Sequence, residues 1–148
     1  MLRRVNNRLF AVALLAAFAL IGCEVQTSLP WPSNWSVSAN MPHPWPVAVA
    51  APSGAPPRTL RIWMSSLTIA PGSSLDGAIA TTTNVASVEV RTAAFSINSA
   101  HVAPGQFRFH THVLELPPLA RLHTYTLEVI ARNTAGVAQV EQAPLEMR

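Results

Sequence analysis

The chain has 148 residues, 49% of them hydrophobic, and its ten basic residues are all arginine against seven carboxylates, for a formal charge of +3. Three of those arginines, Arg3, Arg4 and Arg8, crowd the amino terminus; the other seven balance the seven carboxylates, which leaves no basic face of the kind nucleic acid needs. A single cysteine, Cys23, excludes a disulfide framework, and a single aspartate, Asp76, excludes an acidic calcium loop.

The first element in chain order is that basic start, followed by an unbroken apolar run from Leu9 to Ile21 and then Gly22-Cys23. The layout is that of a secretory signal: positive charge, a short apolar stretch, small residues at the processing point. The 13 apolar residues are too few for a spanning helix, which takes roughly 20. The tetrad Leu20-Ile21-Gly22-Cys23 behind such a run resembles the lipobox of bacterial lipoproteins. The resemblance implies that residues 1–22 are a signal peptide removed by signal peptidase II, with Leu20, Ile21 and Gly22 forming the recognition side of the cut. It implies further that Cys23 carries a covalent lipid and becomes the first residue of the mature protein. Two or three acyl chains, at about 0.8 kcal/mol per buried methylene, anchor far more firmly than one. Glu24, rather than aspartate, follows the cysteine, so the resemblance points to the outer membrane where the cell has one.

Residues 23–58 have the composition of a tether. Eight of the 13 prolines fall there, two of them in each of the triplets Pro30-Trp31-Pro32 and Pro44-Trp45-Pro46, and Glu24 is the only carboxylate or arginine before Arg58. Proline at this density blocks helix and sheet interior and favours extended polyproline II, so the segment is expected to be a spacer reaching on the order of 100 Å. Trp31, Trp35 and Trp45 are more than a spacer needs, and offer docking on the domain, on headgroups or on a partner.

From Thr59 the pattern becomes short apolar alternations broken by turn residues, with no helical period. A first strand, whole or split, is expected over 60–64 and 67–69, ending at Ala70-Pro71-Gly72, then strands over 75–82, 87–91, a short piece at 95–97, 106–116 ending at Pro117-Pro118, 123–133, and 137–143 after the Thr134-Ala135-Gly136 turn. Six or seven strands in about 90 residues predict an all-β fold, a Greek-key sandwich over 59–148. The run from Tyr125 to Gly136 is similar to the penultimate strand and following turn of fibronectin type III and related immunoglobulin-like domains. That resemblance makes Tyr125 a corner residue whose hydroxyl bonds back to the preceding loop, over Leu119 and Leu122, and Asn133-x-x-Gly136 the last turn. No core tryptophan stands on the third strand; Trp63, on the first, is the candidate for that place.

No nucleophile elbow, metalloprotease helix motif or phosphate-cradling loop occurs, which argues against an enzyme. His110-Thr111-His112 places two imidazoles on one strand face beside Arg108, opposite Phe107, Phe109 and Val113. Either this is an exposed polar pair, or it starts a zinc or copper site completed by His123 or His101, with Met41, Met64 or His43 as further copper ligands. The expected protein is therefore lipid-anchored in the envelope, without a cofactor beyond the lipid, and binds a protein partner through a small adhesion or assembly module. The alternative of another class is a periplasmic copper or zinc carrier using those histidines.

Overall fold

The computed structural model describes residues 32–114 and 122–148. The predicted signal peptide, the box ending at Cys23, and Trp31 lie outside those residues, as does the 115–121 connection. The described chain forms ten strands and no helix: β1 (Trp35–Val37), β2 (Thr59–Met64), β3 (Thr68–Ile69), β4 (Ser74–Thr81), β5 (Val85–Arg91), β6 (Ser96–Asn98), β7 (Ala100–Ala103), β8 (Gln106–His112), β9 (His123–Asn133) and β10 (Ala138–Met147).

The strands make two sheets, ordered β1-β2-β4-β8-β7 and β3-β10-β9-β5-β6. Pairing is antiparallel except at β1–β2 and β3–β10, the two short strands that lie beside a long one. The alternation in the sequence decides what each face does. Ile62 and Met64 of β2, Leu75 and Ile79 of β4, and Phe107 and Phe109 of β8 come from the first sheet; Val88 and Val90 of β5, Leu127, Val129 and Ala131 of β9, and Ala143, Leu145 and Met147 of β10 come from the second. Together they form one apolar core shared by both sheets, as in a β-sandwich. A leucine or isoleucine fully withdrawn from water contributes about 1.5–3 kcal/mol, which is what fixes the register of each strand.

The core contains a tryptophan, and it is Trp35, not Trp63. Trp35 stands on β1, inside the proline-rich segment, and joins the core cluster. Trp63 alternates with the core residues Ile62 and Met64 and so lies on the outer face of the first sheet, where its indole Nε1 donates to the carbonyl of Ser38 at 3.0 Å. The described part of the expected spacer thus runs along the sandwich. Val49 bridges Thr82 in parallel, and the side-chain amide of Asn84 donates to the carbonyls of Pro52 at 3.0 Å and Ala55 at 2.7 Å.

Two further strand ends differ from the pattern in the sequence. β7 is exposed along its whole length, so its Ala-His-Val-Ala sequence has no buried face to mark it. β10 continues through Pro144 to Met147, although proline normally ends a ladder. The amides of Glu146 and Arg148 donate to Leu67 and Ile69, so even-numbered amides of β10 point away from β9. Pro144 has that parity and sits just beyond the reach of β3, where a missing N–H breaks no bond to β9.

Candidate binding groove

Residues 38–46 cross the outer face of the first sheet from β2 to β8. At the β2 side the Ser38 amide donates to the Met64 carbonyl at 3.2 Å, beside the Trp63 indole bond. At the β8 side the Trp45 indole donates to Gln106 Oε1 at 2.7 Å while Gln106 Nε2 returns a bond to the Pro46 carbonyl at 3.0 Å. Both ends of the crossing are therefore tied through tryptophan and glutamine side chains, and the prolines between them stiffen it.

Between this strap and the sheet lies an open groove of about 630 Å³. Met41 and His43 of the strap face it from one side, and Trp63, Asp76, Ala78, Arg108 and His110 from the sheet. The floor is low because Trp63, Ala78, Arg108 and Ala100 are register neighbours across β2, β4, β8 and β7, and two of the four are alanines. Gly77 on β4 is needed for the layer beneath: a Cβ there would run into the Phe109 ring. Its absence lets Phe109 fill the core without lifting the sheet.

The polar groups of the groove divide into satisfied and free. His110 Nδ1 and Asp76 Oδ1 are 2.7 Å apart, both substantially exposed, so this contact orients two side chains more than it stabilises the fold. His112 Nδ1 meets Ser74 Oγ at 3.2 Å. The Asp76 and Ser74 contacts serve different imidazoles, so no serine–histidine–carboxylate relay is assembled from these four side chains. The Arg108 guanidinium has no hydrogen-bond or ion-pair partner among the described residues.

The sequence-derived metal set does not come together. His110 and His112 share a face, with ring centroids 5.6 Å apart, but His123 belongs to β9 in the other sheet and stacks edge-on with Tyr125 at 6.5 Å. His101, on β7, lies against the Phe107 ring at 4.8 Å. Met64 is in the core, and only Met41 and His43 reach the groove that His110 lines. Among the described residues no three or more histidine, cysteine, aspartate or glutamate side chains are grouped as a metal site.

Tyr125 is half-buried on the core-facing side of β9 and packs against the core cluster. The loop expected to receive its hydroxyl, with Leu119, falls in residues 115–121, outside those described, while Leu122, expected to pack beneath it, is 85% exposed. Cys23, Leu20, Ile21 and Gly22 likewise lie outside them. Compared with protein-family models and with curated protein sequences, the chain matches none. The groove was not legible in the sequence, because its walls come from a segment whose composition reads as spacer and from outward positions of four strands.

Proposed function

We propose that this chain is a lipid-anchored cell-envelope protein whose immunoglobulin-like sandwich acts by binding, as a small adhesion or assembly module. The observation that carries the location is the box Leu20-Ile21-Gly22-Cys23 at the end of an apolar run of 13 residues with arginines before it. Support for the immunoglobulin-like reading comes from the strand order. β2-β4-β8-β7 opposite β10-β9-β5-β6 corresponds to strands A, B, E, D opposite G, F, C, C′ of that fold. A binding role is favoured by the strapped groove, which offers an aromatic wall, a low floor and a guanidinium without a partner among the described residues, a combination suited to recognition.

Two measurements test this reading. Cys23→Ser is expected to abolish palmitate incorporation and to move the protein out of the membrane fraction; unchanged retention would overturn the anchoring. Arg108→Ala shortens an exposed side chain, so the fold should keep its melting temperature while capture of the envelope partner by crosslinking from intact cells is lost. A partner captured equally well by both forms would remove the groove from the mechanism.

A further inference from the structure

The end of the sandwich where β2 begins has a character of its own. The segment from Pro46 to Pro57 is folded over it: Val49 bridges Thr82, the Ala51 amide donates to Thr83 Oγ1 at 3.1 Å, and Asn84 and Asn133 hold the carbonyls of Pro52 and Ala55. The turns at this end are Thr82–Asn84, Pro104-Gly105 and Thr134–Val137, and neither they nor Pro46–Pro57 contain a charged residue. They do present aliphatic side chains to solvent: Val47 is 85% exposed, Val49 53% and Val137 44%. The rim beside them carries the exposed Arg58, whose guanidinium has no partner among the described residues, and the half-buried Glu141, whose carboxylate accepts from Gln139 at 2.9 Å. The opposite end, by contrast, carries the exposed acid Glu146 beside Arg148.

The chain reaches the sandwich near the uncharged end. β1 runs parallel to β2, the Asn34 carbonyl accepts from the Ile62 amide, and a turn closed by the Trp35 amide on the Pro32 carbonyl at 3.1 Å precedes it, so the chain enters beside Ile62. Ile62 is three residues from Thr59, roughly 10 Å at the rise of a strand. On the lipoprotein reading above, on which this inference rests, only residues 24–31 separate the lipidated Cys23 from Pro32, the first described residue. The nine Cα-to-Cα steps from Cys23 to Pro32 span at most about 30 Å.

We infer that this end of the sandwich rests on the bilayer that holds the lipid, with Val47, Val49 and Val137 at headgroup depth and Arg58 against anionic lipid. A short leash keeps the surface at high local concentration near the membrane, so individually weak contacts are sufficient. Uncharged loops can approach an interface without desolvating a charge, and an arginine at the rim keeps its guanidinium among phosphates. The groove on the outer face of the first sheet then opens sideways, parallel to the membrane, within reach of partners in the same leaflet.

The test uses the lipidated full chain reconstituted in vesicles of phosphatidylethanolamine and phosphatidylglycerol. Because Cys23 is acylated, a cysteine introduced at Val47 or Val137 is the only thiol and takes an environment-sensitive fluorophore, as does a reference cysteine at Val140, exposed on the outer face of the second sheet. Spin-labelled lipids should extinguish most of the emission at Val47 and Val137 and little at Val140. Equal quenching at the three positions, or stronger quenching at Val140, overturns the membrane contact while leaving the anchor intact. Palmitate labelling of the same preparations is read separately: without acylation at Cys23 both the anchor and the contact fall.

Discussion

Asn133 shows how one side chain carries a local and a distant task. Its Oδ1 accepts from the amides of Ala135 at 3.0 Å and Val137 at 2.9 Å, closing the turn in which Gly136 sits at φ 81°, while its Nδ2 donates to the Ala55 carbonyl at 3.0 Å. The first task is legible in sequence, since asparagine followed by glycine at a turn is local chemistry that needs no tertiary information. The second is not, because Ala55 is 78 residues away. Asn133→Ala is expected to destabilise by about 2–4 kcal/mol, from the loss of several buried bonds at about 1 kcal/mol each. Thr126→Ala, exposed on the same strand, should change stability by less than about 1 kcal/mol. Urea unfolding of the two variants checks the contrast, and equal losses would refute the clamp at Asn133.

At the scale of elements, β5, β8 and the start of β9 were legible because apolar and polar residues alternate and burial follows, while β2 and the second half of β4 read as short apolar runs between turn residues and are buried nearly throughout. β1 was not: only Trp35 of its three residues is buried, and Pro30 and Pro32 before it speak for extended, unpaired chain. Composition reports what a segment cannot form, and here it concealed what the segment packs against. The same blindness hid the groove, whose walls are the strap and the outward residues of β2, β4, β8 and β7. The sequence alone places the sandwich within 59–148; with Trp35 in the core, a chain beginning at Thr59 lacks one of the side chains that fill it. Trp35→Ala in the full chain is expected to cost about 3–5 kcal/mol. The chain from 59 to 148 should melt well below the longer form or fail to melt cooperatively. Identical melting of the two forms would mean that Trp35 contributes no stability where it lies.

Across the whole molecule, the outer face of the second sheet is laced by charge. Arg91 meets Glu128 at 2.7 Å, and Gln142 donates to the other oxygen of that carboxylate; Arg132 meets Glu89 at 2.8 Å, and Ser96 donates to its second oxygen. Four neighbouring strands, β6, β5, β9 and β10, are thereby tied on a face that the core does not reach. Hydrogen bonds from Arg132 and then Ser96 hold the Glu89 carboxyl below its ordinary value of 4.5, and Arg91 followed by Gln142 do the same for Glu128. A carboxyl depressed in the folded state binds its proton less readily there than in the unfolded chain. Its contribution is therefore complete above pH 4.5 and is lost as pH falls through the lower folded value. Both pairs are exposed to solvent, so the effect is modest and screened by salt. Urea midpoints of the wild type should fall from about pH 6 to about pH 3, and Glu89→Gln with Glu128→Gln should remove part of that slope while changing little at 1 M salt. A double variant that keeps the whole acid slope would show that the ladder of charges holds no strands together.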